Sequence, residues 1–292
     1  MAERIRQMES EIDTLPPGTR LLESGRWLVA LAGAQELPQV VLEIGRLREI
    51  AFRAVGEGTG RALDLDRFDA HYMHLFVWDR HRRAIAGAYR LADTERFRRH
   101  ELPHGLYTHS LFAYGRPFLA ELGPAIELGR AFVRPEYQRC SRVLALLWQG
   151  IAAVLARSPE TRRLFGAVSV SARYTPASRA LIAAALLAHH RHEPTRALVH
   201  ARLPFASRLP AAGNVAALRD VRSLGAAIRA LEPDGKGLPV LLRRYLELGG
   251  EFAAFHVDRG FGDTLDALMV LDPARADAAR LARIGVATEI AA

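Results

Sequence analysis

The stretch Ala125-Ile-Glu-Leu-Gly-Arg-Ala-Phe-Val133, continued by Arg134-Pro-Glu-Tyr-Gln-Arg-Cys-Ser-Arg142, decides how the rest of the chain is read. Its first part has strand length and alternates, which sets Glu127, Gly129 and Ala131 on one face and Leu128, Arg130 and Phe132 on the other. Arg134-Pro135 stops the strand, since proline has no N–H for a ladder. An apolar stripe then predicts a long amphipathic helix from about Arg142 to Ala156, followed by a strand from Leu164 to Val170 and a helix starting near Pro176. Strand, helix, strand, helix in that order is the sequence of a crossover unit.

Upstream of this unit the chain predicts a hairpin: His74 to Asp79, a polar turn at Arg80 to Arg83, then Ala84 to Leu91. Before the hairpin, Pro38 opens a helical pattern carried by Val41, Ile44, Leu47, Ile50 and Ala51, which runs to about Val55. Gly56, Gly58 and Gly60 break it, and an acid-rich loop reaches Asp69. Ile5, Met8 and Ile12 predict an amphipathic N-terminal helix over Met1 to Asp13, ended by Pro16-Pro17-Gly18, while Arg20 to Leu37 is mixed. Downstream, His189 to Asn214 reads as an irregular insertion. A helix from Pro239 to Leu248 then precedes strands at Glu251 to Val257 and Thr264 to Leu271, and a terminal helix lies beyond Pro273. The fold class is therefore α/β or α+β around one central mixed sheet. The chain divides into an N-terminal helical extension (1–37), a core (38–190) and a C-terminal continuation of the same domain (191–292).

Composition narrows the function. The 292 residues hold 40 Lys+Arg against 32 Asp+Glu, giving a formal charge of +8, and Lys236 is the only lysine. Nucleic-acid binding needs such charge in a run or on one face, whereas here it is dispersed among acids. A single cysteine, Cys140, leaves no intramolecular disulfide and no thiolate metal site. The N-terminus lacks the uninterrupted apolar stretch of a signal peptide, and no apolar segment reaches the roughly 18 residues of a membrane span. A cytoplasmic location is the expectation.

Three sets of polar residues lie close to the deciding stretch. Asp64-Leu-Asp66-Arg-Phe-Asp69 puts three carboxylates beside His71 and His74, a set that can hold a substrate ammonium or equally be a solvated polar loop. Glu127-Leu-Gly-Arg130 places charge in an apolar strand, which requires pairing. It reads either as salt bridges at the sheet edge or as a general base beside a group that binds an anion or a carbonyl. The junction Arg134 to Arg142 puts Arg139 and Arg142 at a helix N-terminus, where free N–H groups suit a phosphate; Ser141 would otherwise be an ordinary cap. His189, His190 and His192 lack the carboxylates that would complete a metal site.

In order and spacing these features resemble the GCN5-related N-acetyltransferase superfamily. Arg48-Glu-Ile-Ala-Phe52, the D-x-D-x-F-D of Asp64 to Asp69, the hairpin ending Gly87-Ala-Tyr-Arg90, and the Glu127/Arg130 pair occur as in acyl-homoserine-lactone and N-acyl amino acid synthases. The likeness is strongest to the ornithine-lipid N-acyltransferases, also called hemolysin-like. It covers roughly residues 40–190, with a fainter echo in Val257-Asp-Arg-Gly-Phe-Gly-Asp-Thr-Leu-Asp266 and the residues that follow it.

The resemblance implies transfer of a long, 3-hydroxylated acyl chain from acyl carrier protein to the α-amine of an amino acid such as ornithine, giving a lyso-aminolipid. It implies an acetyltransferase-like, mostly antiparallel sheet flanked by helices. By residue it implies that Arg48, Phe52, Asp64, Asp66, Asp69, His74 and Arg90 shape the amine site, with Glu127 as base and Arg130 as its partner. Val133, Gln138, Arg139, Ser141, Arg142 and Ser169 would hold the acyl-phosphopantetheine arm, with no tightly bound cofactor and no metal. The superfamily's coenzyme A loop is rich in glycine, whereas Gln138-Arg-Cys-Ser-Arg-Val143 has none, which favours acyl carrier protein over acyl-coenzyme A. A lipid product implies peripheral contact with the inner membrane face. Two other readings stay open: an acetyl-coenzyme A-dependent acetyltransferase of a small amine, and a non-catalytic module that binds a polyanion or a membrane surface.

Overall fold

The computed structural model describes residues 2–97, 101–206 and 215–275. Eight strands form one sheet: β1 (Arg20–Ser24), β2 (Trp27–Gly33), β3 (Met73–Asp79), β4 (Ala84–Asp93), β6 (Ala125–Val133), β7 (Arg163–Val170), β9 (Glu251–Asp258) and β10 (Thr264–Leu271). Their order is β1-β2-β3-β4-β6-β7-β10-β9, and every neighbouring pair is antiparallel except β6 and β7. The parallel pair is the crossover that the sequence predicts, joined by α5 (Ser141–Ala156). Short strands β5 (Phe112–Tyr114) and β8 (Val199–Ala201) form a separate ribbon.

Helices cover both faces. On one, α5 buries Val143, Leu146, Leu147, Ile151 and Leu155, spaced three and four apart, against Val29, Leu75, Val77 and Leu128. On the other, α2 (Pro38–Ala54) starts on a proline, whose fixed φ suits a first helical residue, and buries Val40, Val41, Ile44, Leu47 and Ala51 against Leu28, Ala30, Phe76 and Ala88. Each such side chain contributes roughly 1.5–3 kcal/mol when fully buried. α1 (Ala2–Asp13) packs Met8 and Ile12 onto the α2 layer. The remaining helices are α3 (Thr108–Leu111), α4 (Arg116–Leu122), α6 (Pro176–His189), α7 (Val221–Leu231) and α8 (Val240–Glu247).

Three expectations change. The first 37 residues are not a helical extension alone: β1 and β2 open the main sheet, and β2 pairs in full register with β3. Their burial on both faces gave Trp27 to Gly33 a continuous apolar run with no alternation to read. The insertion after α6 carries β8, and its histidines are tied down: His189 bonds the Val215 carbonyl at 2.7 Å, and His192 bonds Thr195 Oγ1 at 2.7 Å. The chain makes a short turn at Pro273–Arg275, and the terminal helix expected beyond it lies outside the described residues.

Candidate active site

β6 carries the site because it is irregular. Arg90 of β4 pairs with Gly129, yet Ala88 pairs with Phe132, so two residues of β6 oppose the single Tyr89. Arg130 has φ +50°, a left-handed conformation that a side-chain-bearing residue adopts only when its surroundings impose it. The bulge overturns the simple alternation. Arg130 does not point away from Glu127 but joins it on the α2 face, where its guanidinium meets Asp64 at 3.4 Å and Asp66 at 3.9 Å. The aromatic rings of Tyr107 and Phe261 hold it at 4.9 and 4.4 Å.

The parallel pairing of β6 with β7 spans only Ala125–Arg163, Ile126–Leu164 and Glu127–Phe165. Beyond it the strands separate, while each stays paired on its outer side with β4 or β10. At the point of divergence the Leu128 carbonyl lies so close to Gly166 that a Cβ there would meet it at 2.1 Å, so only glycine fits. Gly129, Arg130, Ala131, Ala167 and Ser169, where the two strands part, are half-buried within an otherwise largely buried sheet.

Most of the predicted site residues converge, but as a network. Arg48, fully buried on α2, donates to Asp69 at 2.6 Å. Arg90, fully buried on β4, donates to Asp66 at 2.6 Å and lies 3.2 Å from Asp69. Burial alone would disfavour ionisation of Asp69, but Arg48 and Arg90 hold its carboxyl well below the usual carboxylate range. Asp66 also caps the turn Arg67–Ala70, accepting from the Phe68 N–H at 2.8 Å, and Asp69 accepts from the Asp66 N–H at 2.8 Å. Asp64, Asp66 and Asp69 are thus each opposed by an arginine. The sequence reading expects them to receive a substrate ammonium; in the structure their nearest charged neighbours are these arginines. His74 Nε2 donates to the Asp69 carbonyl, 3.0 Å away; burial, with Arg48 adding to it, lowers its ring to about 4, so it is neutral at physiological pH.

Glu127, the expected base, is enclosed. It is 1% exposed, and both its oxygens are occupied: Oε2 accepts from the Tyr72 hydroxyl and from the Tyr107 N–H at 3.1 Å, and Oε1 accepts from the Thr108 N–H at 2.6 Å. It anchors the start of α3 and thereby holds Tyr107 over Arg130 and Arg90.

At the junction, Gln138 Nε2 donates to the Val133 carbonyl at 3.0 Å, and Cys140 rather than Ser141 occupies the cap position of α5, with no side-chain acceptor there. Ser141 is the first helical residue, so the expected serine cap is absent. Arg139, Ser141 and Arg142 are exposed around that helix end, and Arg142 reaches Ser24 Oγ at 3.2 Å. Phe52 stacks edge-on to Phe261 at 5.2 Å, closing the site from the end of α2. Ser169 is on β7, in register with Asp266 of β10. Asp266 was absent from the residues expected at the site, and so was Glu57 in the loop after α2; both lie within electrostatic reach of Arg130. Among the described residues no group of three His, Cys, Asp or Glu is placed to hold a metal.

Comparison with known proteins identifies the family. The acetyltransferase (GNAT) domain family matches residues 47–149, from α2 through the first half of α5. A glycine N(alpha)-acyltransferase of Phocaeicola vulgatus is 33% identical over 247 residues, covering 78% of this chain and 74% of that protein. The chain belongs to this acyltransferase family. A second family member, the glycine N(alpha)-acyltransferase of Bacteroides thetaiotaomicron, is 39% identical over 160 residues, covering 51% of this chain and 47% of its own length. Among solved structures, a coenzyme A-dependent acyl-homoserine lactone synthase, BjaI, covers 88% of both chains at 12% identity with TM-score 0.42. As an acyltransferase with the GNAT-like fold, the protein is an enzyme. No helix among the described residues is long and apolar enough to cross a membrane.

Proposed function

We propose that this enzyme transfers a long, 3-hydroxylated acyl chain from acyl carrier protein to the α-amine of an amino acid, giving an N-acylated lyso-aminolipid. The observation that carries the reading is the divergence of β6 from β7 immediately beyond Glu127. Backbone groups of β6 there face a gap instead of a strand, which suits a linear, amide-bearing arm such as phosphopantetheine. The exposed start of α5, with Arg139 and Arg142, suits the phosphate of that arm. The glycine-free run Gln138 to Val143 favours a carrier-protein donor, and the dispersed surface arginines suit an acidic carrier. The family members named above point to glycine as the acceptor to test first, with ornithine, the acceptor the sequence resemblance implies, beside it.

A lipid product supports contact with the inner membrane face from a cytoplasmic location. Leu42, Arg46, Ile50 and Arg53 follow one another along the outer side of α2, and Leu42 and Ile50 are exposed apolar residues. An apolar stripe flanked by arginine suits an anionic lipid surface.

The direct test incubates the protein with 3-hydroxyacyl carrier protein, or with palmitoyl-coenzyme A, and with glycine or ornithine, and analyses the products by mass spectrometry. An N-acyl amino acid formed faster from the carrier-bound donor is the expected result. Failure to form an amide with any donor and amine overturns the proposal, and acetyl-coenzyme A as the sole effective donor replaces it with small-amine acetylation.

A further inference from the structure

The buried network accounts for three carboxylates but leaves a second set unexplained. Asp266 sits on β10 with Leu265 and Ala267 on either side facing the α5 core, so its side chain lies on the face shared by Arg90, Glu127 and Arg130. It is 2% exposed, and its Oδ1 lacks a well-formed hydrogen bond; the hydroxyls of Ser169 and of Thr264, two residues earlier on the same face, are the donors within its reach. Ser169, its register partner across β7, is half-buried and lines the open wedge. The loop after α2 reaches this place because Gly262, at φ +78°, lets the backbone of Gly56 and Glu57 come close: a Cβ there would meet the Gly56 carbonyl at 2.7 Å.

The groups facing Asp266 are Glu57 from that loop, Asp258 from the end of β9, His256 opposite it in register, Tyr107 from before α3, Arg179 from α6 and Arg130 from β6. Arg130 is already paired with Asp64 and Asp66, and Arg179 donates to the Asp263 carbonyl. Three acids thus share two committed cations, and the surplus charge is negative. A buried carboxylate that has hydroxyl neighbours but no cation of its own, beside an open wedge, suits a cation that arrives with the ligand.

We infer that Asp266, assisted by Glu57, receives the ammonium of the acceptor amine and removes its proton, while Arg130 faces the acceptor's carboxylate. This rests on the acyl-transfer reading above. One ammonium proton passes to the Asp266 carboxylate, and the neutral nitrogen attacks the thioester carbonyl. The C–N bond forms and the C–S bond breaks; the second proton lost from nitrogen leaves with sulfur as the free thiol, and Asp266 returns its proton to solvent. Glu127, enclosed by Tyr72, Tyr107 and Thr108, holds the wall of the site and takes no proton. Burial, reinforced by Asp258 against the opposing pull of Ser169 and Arg130, raises the Asp266 carboxyl to about 6; burial and Asp266 raise Glu57 to about 7. Both values suit a base working near neutrality.

The test measures kcat/KM for glycine against pH with the full chain and a saturating acyl donor, for wild type, Asp266→Asn and Glu57→Gln. Wild type is expected to lose activity as the pH falls through about 6, as the base becomes protonated. Asp266→Asn is expected to lose roughly 100-fold or more and to lose that acidic limb, with an unchanged donor KM and melting temperature no lower than wild type. Glu57→Gln is expected to shift the limb to lower pH, since one neighbouring negative charge is removed. An Asp266→Asn enzyme within about threefold of wild type and with the same acidic limb overturns the inference while leaving acyl transfer intact. A wild-type enzyme that makes no amide overturns the acyl-transfer reading itself.

Discussion

Two groups of buried charge flank Arg130 on one face of the sheet, and they are built differently. Toward β4, Arg48, Arg90 and Arg130 oppose Asp64, Asp66 and Asp69, at separations from 2.6 to 3.9 Å. Toward β10, Glu57, Asp258 and Asp266 face each other with no cation of their own. The first group is matched charge for charge by arginines of the chain, even though Asp64 Oδ2 and several guanidinium nitrogens keep no hydrogen-bond partner; the second has no cation of its own and suits a ligand that brings one. Equal burial therefore does not mean equal purpose. What distinguishes the two is whether the counter-charge comes from the chain or must arrive from outside.

The strongest way to break the contrast is on the paired side. Asp69→Asn leaves Arg48 and Arg90 short of a buried partner and is expected to destabilise by about 3–5 kcal/mol in equilibrium denaturation at pH 7. Because the folded Asp69 carboxyl lies below its unfolded value, its contribution is present above about pH 4 and is lost as the pH falls below that. The wild type is therefore expected to lose stability in acid more steeply than Asp69→Asn, and parallel acid profiles would contradict the paired arrangement.

Asp266→Asn should move stability the other way. Its folded carboxyl is raised to about 6, so it favours folding below about pH 4, and that contribution is lost as the pH rises through about 6. Removing the charge is expected to stabilise the protein by up to about 3 kcal/mol at pH 8, and by little at pH 4, read from urea midpoints. A variant less stable at pH 8 than at pH 4 relative to wild type would show that Asp266 has a partner.

A smaller effect separates Glu127 from a base. Tyr72→Phe removes one donor to its carboxylate and is expected to cost about 1 kcal/mol of stability while leaving the acidic limb of kcat/KM where it stands in wild type. The smallest effect concerns the donor end. Arg139→Ala and Arg142→Ala are each expected to raise the KM for the acyl donor by about twofold to fivefold, less at high salt, without altering the melting temperature.

Sequence reading located much of this in advance, for definite reasons. The strand at Ala125–Val133, the hairpin, the two main helices and the crossover are local patterns of period two or 3.6, and they appear within a few residues of where they were expected. Glu127 and Arg130 were recognisable because charge in an apolar strand demands an explanation, Asp64, Asp66 and Asp69 because three carboxylates fall within six residues, and Arg48 and Arg90 through the family resemblance. β2 was missed because a strand buried on both faces does not alternate, and β1, five residues long and nowhere fully buried, has no apolar pattern to read. Asp266 lay in plain view within Thr-Leu-Asp-Ala-Leu-Met-Val-Leu, a carboxylate in the middle of an apolar strand. By the reasoning applied to Glu127, that signal was enough to mark it.

The sequence by itself determined which residue types were available, the order of the main strands and helices from α2 to α6, and the family that the order resembles, because these follow from local periodicity and spacing. Only the tertiary structure decided what each charge does. A single bulge turned Arg130 onto the face of Glu127, the register of β10 on β7 brought Asp266 next to Ser169, and three arginines from α2, β4 and β6 took up the acids of the 64–69 loop. Pairing of buried charge is a long-range property: its free energy depends on distances between residues far apart in sequence, and no local pattern encodes those distances.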